Sequence, residues 1–180
     1  MNSQVNDGLP KTNLYLVGLM GTGKSTIGEM LALRLGMIFL DSDREIQEGS
    51  GMSISEIFTK TGESNFRKME KEFIEQGHPP QNCVVSCGGG LCVPQGMMEE
   101  LKGRGKVICL WANPETLLDR TKMDNTRPLL QTANPLEVLQ NLLKERESRY
   151  READLIIETN QLSREEVVEE IVRRLDPLES

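Results

Sequence analysis

The stretch that most restricts this chain is Gly18-Leu-Met-Gly-Thr-Gly-Lys-Ser25, which fits the pattern G-x-x-x-x-G-K-[ST] and is followed by Thr26. Gly18, Gly21 and Gly23 let the backbone curl until its N–H groups converge on one anion. Lys24 supplies positive charge to the β- and γ-phosphates of a nucleotide, and the Ser25 hydroxyl stands where Mg²⁺ needs a ligand. Such a loop works only between a strand and a helix, and both are legible. Leu14-Tyr-Leu-Val17 is an unbroken apolar run. Ser25 to Leu35 puts Ile27, Met30, Leu31 and Leu35 on one helical face. A helix that begins at the loop adds its dipole to the anion site.

The rest of the chain repeats the strand–helix alternation. Met37 to Leu40 reads as a second buried strand ending at Asp41-Ser42-Asp43. Cys83 to Ser86, Lys106 to Trp111 and Leu155 to Ile157 read as three more. Between them, Ser53 and Glu56 form a capping box ahead of a short helix. Glu63 to Gln76 carries an apolar side of Phe66, Met69, Phe73 and Ile74. Helices are also predicted over 94–101, from Asn113-Pro114 to about Lys122, and from Asn134-Pro135 to about Glu152. Ser163 and Glu166 cap the last one, whose Val167, Ile171 and Leu175 face inward. Five short apolar strands separated by helices specify an α/β protein with a parallel sheet. Residues 1–180 are expected to form one domain, with 1–11 a loose tail.

Composition narrows the partners. The chain has 180 residues, 37% hydrophobic and 27% charged, enough for a single core. Its net charge of −7 and the lack of a basic stretch argue against nucleic acid. No apolar run approaches the length of a membrane span, so a cytoplasmic protein is expected. Four cysteines (Cys83, Cys87, Cys92, Cys109) and one histidine (His78) lack zinc-site spacing and read as reduced thiols beside buried strands. Since ATP is itself an anion, cationic side chains must gather locally. Lys24, Arg67, Arg120, Arg127 and Arg146 are the candidates.

Asp41 and Asp43 end the second strand, and ligands of such sheets bind at the carboxyl ends of strands. One carboxylate could turn to Mg²⁺ and the other to an acceptor hydroxyl, or either could cap the next helix. Gly88-Gly-Gly90 after a strand is costly in entropy unless backbone must approach something closely. Met123 to Ala133 shows no helical stripe and holds Arg127-Pro128, which suits a lid with an arginine that closes on transferring phosphate. Arg146, Arg149 and Arg151 cluster with Tyr150. Thr121-Lys-Met-Asp124 matches a guanine-recognition pattern, but it sits at a helix end and no D-x-x-G motif accompanies it.

These pieces resemble the shikimate kinase family over about 13–175. The resemblance rests on Gly18-x-Met-Gly-x-Gly-Lys-Ser-Thr26, Asp41-x-Asp43, Ile54-x-Glu-Ile-Phe58, Gly62-Glu-x-x-Phe-Arg67, Gly88-Gly-Gly90, Arg127-Pro-Leu-Leu130 and Arg146-x-x-x-Tyr150-x-x-x-Ala153. It implies a nucleoside-monophosphate-kinase-like fold of five parallel strands flanked by helices, a substrate-binding region over about 43–76 and a lid over about 123–133. It implies transfer of the ATP γ-phosphoryl group to the 3-hydroxyl of shikimate by a Mg²⁺-dependent enzyme, expected to be a monomer with no membrane or nucleic-acid partner. Gly21, Thr22, Gly23, Lys24, Ser25 and Thr26 would hold ATP, with Arg120 along the adenine and Arg127 reaching in from the lid. Ser25 would ligate Mg²⁺ and Asp41 would support it through water. Asp43 would orient or deprotonate the attacking hydroxyl. Arg67 and Arg146 would clamp the carboxylate, and Gly88, Gly89 and Gly90 would contact substrate through backbone. A kinase of another small polyol acid such as gluconate, or a silent nucleotide-binding relative, are the rival readings.

Overall fold

The computed structural model describes residues 12–122, 130 and 132–175. Its sheet has five strands, β1 (Asn13–Val17), β2 (Ile38–Asp41), β3 (Cys83–Ser86), β4 (Gly105–Trp111) and β5 (Leu155–Glu158), in the order β2-β3-β1-β4-β5. Every pairing is parallel. Eight helices lie among the described residues: α1 (Lys24–Leu35), α2 (Ser42–Ser50), α3 (Ile54–Thr61), α4 (Glu63–Gln76), α5 (Met97–Arg104), α6 (Pro114–Thr121), α7 (Pro135–Tyr150) and α8 (Arg164–Leu175).

The unbroken apolar runs follow from burial on both faces of the sheet. Leu14 and Leu16 of β1 join Ile108 and Leu110 of β4 in one core layer, with Ile27 and Leu31 of α1 and Val167 and Ile171 of α8. Tyr15 and Val17 point the other way, with Val85, Cys109, Phe66, Ile74 and Tyr150. All four cysteines are buried and free, as the sequence suggested. No helix among the described residues is long and apolar enough to cross a membrane.

Two sequence expectations need correction. The second strand is not buried: with β3 between it and β1, β2 is an edge strand, and its Ile38 is half exposed. The helix expected from Pro94 begins instead at Met97 and runs to Arg104. Asn113 is the N-cap of α6 and Pro114 lies in its first turn, as the sequence suggested, although the Asn113 side chain makes no capping hydrogen bond. By contrast, the capping box of Ser53 and Glu56 is present, and Ser163 and Glu166 exchange hydrogen bonds ahead of α8.

The position of β3 has a functional consequence. The chain leaves β1 toward β2 on one side and later returns to β4 on the other, so the carboxyl ends of β1 and β3 flank a topological switch point. In open α/β sheets that crevice is where ligands bind.

Candidate active site

The crevice is a cleft of about 680 Å³ lined by the phosphate loop from Met20 onward, Asp41, Asp43, Ser86 to Gly89, Arg120, and the start of α8. The loop has the form the sequence demands. Gly23 takes φ 94° and caps α1, a backbone state that side chains other than glycine's rarely adopt. Thr22 Oγ1 donates to Leu19 O at 2.8 Å, which tightens the turn. Lys24 Nζ donates to Gly18 O at 2.9 Å and Leu19 O at 3.1 Å, so its ammonium is folded back over the loop.

Beside the loop, Ser25 Oγ donates to Asp41 Oδ2 at 2.7 Å and lies 3.2 Å from Ser86 Oγ. Three oxygens at the start of α1 make a set that suits a hard cation such as Mg²⁺, which prefers oxygen ligands and keeps much of its water. No group of three or more His, Cys, Asp or Glu side chains that could hold a metal occurs among the described residues, so a dedicated protein cage is not the arrangement there.

The choice left open for the two aspartates resolves differently for each. Asp41 Oδ1 accepts from Asp43 N at 3.1 Å and Arg44 N at 3.4 Å, so Asp41 caps α2 while its other oxygen holds Ser25. Asp43 is not a cap. It lies in the first turn of α2, where the helix dipole favours an anion, and lines the cleft.

Asp43 meets the glycine turn directly. A β-carbon at Gly88 would fall 2.6 Å from Asp43 Oδ1 and 3.2 Å from Glu70 Oε1. One at Gly90 would fall 2.8 Å from both Arg67 Nη1 and Nη2. A side chain at either position would therefore push aside the ends of the protein side chains that cross the backbone there. The third glycine acts through its carbonyl: Gly89 O accepts from Arg146 Nη1 at 3.1 Å and from the Tyr150 hydroxyl at 2.7 Å. Arg149 turns away to Glu152 Oε1 at 3.1 Å, so of the two neighbouring arginines Arg146 is the one at the turn. Arg67 and Arg146 touch the turn without lining the large cleft itself.

Glu70 is not among the residues the sequence singles out for the site. It is 2% exposed, and its Oε2 accepts from Arg67 Nη1 at 2.7 Å. Arg67 also reaches the exposed Glu63 at 2.8 Å. The available signal was a glutamate at the centre of the Phe66–Phe73–Ile74 stripe of α4, where charge is unusual unless paired. Burial pushes the Glu70 carboxyl up to about 7, against the pull of Arg67, and the nearby Asp43 adds to the rise. The folded protein thus holds this proton more tightly than the unfolded chain, whose carboxyl releases it near 4.5. The stabilisation is fully present below that value and is lost as pH rises through about 7. Glu70→Gln should therefore flatten the decline of Tm across that window. Thermal melts at stepped pH check this, and an unchanged slope would assign the decline to other groups.

Arg120 lies on α6, where Nη1 donates to Thr159 Oγ1 at 2.9 Å and Nη2 to Thr159 O. Burial, and then the like charge of Arg164, push its pKa down. Leu162, Ser163, Arg164 and Val167 also line this end of the cleft. The capping box predicted a helix start at Ser163, but nothing in the sequence indicated that it faces the site. Arg127 and most of 123–133 lie outside the described residues.

A phosphate loop over the carboxyl ends of a five-stranded parallel sheet, with an acidic group and paired arginines at the adjoining turn, defines a P-loop kinase. The family model for shikimate kinase matches residues 20–176, and the chain belongs to that family. It is 48% identical over 164 residues to the shikimate kinase of Nitrosococcus oceani, covering 91% of this chain and 86% of the relative. It is 42% identical over 166 residues to that of Thermodesulfovibrio yellowstonii, covering 92% and 96%. The solved shikimate kinase from Acinetobacter baumannii in complex with shikimate superposes with a TM-score of 0.85 at 42% identity, covering 91% of this chain and 92% of that one.

Proposed function

We infer that the chain carries out the reaction of its family: transfer of the ATP γ-phosphoryl group to the 3-hydroxyl of shikimate, giving shikimate 3-phosphate and ADP on the route to chorismate and aromatic amino acids. The observation that carries this reading is the glycine turn, where Asp43, Arg67 and Arg146 converge beside a phosphate cleft. An acceptor with several hydroxyls and one carboxylate needs that combination, and planar guanidinium groups pair well with carboxylate.

The family resemblance, together with these contacts, supports the following roles. The loop N–H groups and Lys24 hold the β- and γ-phosphates. Ser25 would hold Mg²⁺ directly and Asp41 through water, and bound Mg²⁺ supplies charge neutralisation at the phosphate oxygens. The acceptor lies against the glycine turn, in a substrate region running from α2 through α4, with its carboxylate toward Arg67 and Arg146. The exposed ion pair of Arg67 with Glu63 contributes little and is readily exchanged for a substrate carboxylate. Asp43 accepts the hydroxyl proton as that oxygen bonds to phosphorus and the bond to the ADP oxygen breaks. By the family resemblance, Arg120 would pack along the base and Arg127 would act on the spreading negative charge.

A coupled assay of ADP release with shikimate, gluconate, quinate and no acceptor tests the reading. Release should require shikimate, with gluconate far poorer. Equal turnover of shikimate and gluconate, or release without an acceptor, would overturn it.

A further inference from the structure

We propose that Tyr150 and Ser42 are positioning residues that fix the Gly88–Gly90 turn from opposite sides, setting the distance between Asp43 and the arginines of the acceptor site. The proposal deepens the substrate reading above and rests on it. Neither residue lines the phosphate cleft, and neither has a charge to offer a ligand. Both are fully buried, and each directs its hydroxyl to the backbone of the turn. Ser42 Oγ accepts from Gly88 N at 2.9 Å, and the Tyr150 hydroxyl donates to Gly89 O at 2.7 Å.

The neighbours of these two residues explain why the bonds matter. Ser42 immediately precedes Asp43 in the first turn of α2, so the Ser42–Gly88 bond ties the helix that carries Asp43 to the turn that Asp43 crosses. Tyr150 is one helical turn beyond Arg146 on α7, on the same face. The two side chains share one acceptor: a carbonyl oxygen has two lone pairs, and at Gly89 Arg146 takes one and Tyr150 the other. Arg146 is thereby oriented by a carbonyl that Tyr150 holds still, which leaves its remaining N–H groups directed by the turn. Gly90, the next residue, packs so closely against the Arg67 guanidinium that a β-carbon there would displace it. Three consecutive glycines thus connect α2, α4 and α7, and the two buried hydroxyls hold the connection at a fixed length. A turn without side chains cannot supply this rigidity itself, because glycine has the widest choice of backbone states.

Burial pushes the Tyr150 hydroxyl pKa well up, so it remains a neutral donor throughout the working range of pH. Its aromatic body is part of the core layer that holds Phe66 and Leu139, and phenylalanine can keep that packing. Tyr150→Phe therefore removes one hydrogen bond and little else.

The test uses the full chain with Tyr150→Phe, Ser42→Ala and the double variant, read two ways. In steady-state kinetics, Tyr150→Phe should raise the KM for shikimate about tenfold and leave the KM for ATP within about twofold. Ser42→Ala should lower kcat as well, because it loosens the helix that carries Asp43. The double variant should lose less than the product of the single losses, since both bonds hold the same turn. Independently of any substrate, amide exchange followed by NMR should show Leu91 and Val93 losing protection by about tenfold, with β1 and β4 unchanged. These two amides close the turn onto Gly88 O and Gly90 O. A lower Tm with both KM values and the turn amides unchanged would overturn the proposal and leave both residues as ordinary core members. Faster exchange at the turn with no shikimate turnover in the unsubstituted protein would instead uphold the positioning role and overturn the substrate reading.

Discussion

Asp43→Asn should reduce kcat by on the order of a hundredfold or more while ATP binding stays nearly intact. The substitution keeps size and hydrogen-bonding shape but removes the charge that accepts the hydroxyl proton in the proposed reaction. The position of Asp43 suits proton acceptance, since it lies in the first turn of α2, where an anion is favoured, and lines the cleft beside the phosphate loop. Its neighbour Glu70 is in a different environment, buried in α4, paired with Arg67 and with its carboxyl raised to about 7. Of the two carboxyl groups at the turn, Asp43 is the partly exposed one and Glu70 the more deeply buried. Pre-steady-state measurement of the transfer step alongside nucleotide binding checks the expectation. Near-normal kcat with the asparagine would reduce Asp43 to a structural member of α2.

Arg67→Ala should weaken shikimate binding by about 2–5 kcal/mol, because a desolvated carboxylate loses its charged partner. That corresponds to roughly thirtyfold or more in KM. The ATP KM should change little, since Arg67 does not line the nucleotide cleft. The variant also leaves Glu70 buried without the guanidinium at 2.7 Å, and burial alone then favours its protonated form at neutral pH. Stability should therefore fall less than for an ion pair broken with the charge retained. Gly90→Ala offers a milder companion: its methyl would displace the guanidinium without removing it, and should raise the shikimate KM by a smaller factor. An unchanged shikimate KM in both variants would remove Arg67 from the acceptor site.

What could be read in the sequence was whatever is encoded over short distances. The phosphate loop is a local backbone requirement, and Gly23 at φ 94° meets it without help from the rest of the fold. The capping boxes of Ser53 with Glu56 and Ser163 with Glu166 span one turn and formed as expected. The bounds of α4 were legible because four apolar residues recur on one side and a Gly-His-Pro-Pro stretch ends it. Helix α2 was harder: Ile46 is its only buried apolar residue, so it has no stripe, and it owes its start to the Asp41 cap.

The tertiary structure decided which distant residues meet. Short apolar strands look alike, so nothing local could say that β3 would enter between β1 and β2 and leave Ile38 at an edge. That insertion brings Gly88–Gly90 from the end of β3 to the side of the phosphate loop. There Asp43 from α2, Arg67 and Glu70 from α4, and Arg146 and Tyr150 from α7 reach one three-residue turn. Sequence by itself determined the anion-binding loop, the parallel α/β class and most of the charged side chains that meet at the glycine turn. Only the fold decided that Arg146 rather than Arg149 faces the turn, that Glu70 is buried against Arg67, and that glycines 88 and 90 make room for protein side chains. The physical reason is that caps, turns and periodicity act within a few residues, whereas these contacts depend on strand order and helix orientation, which the packing of both sheet faces settles together.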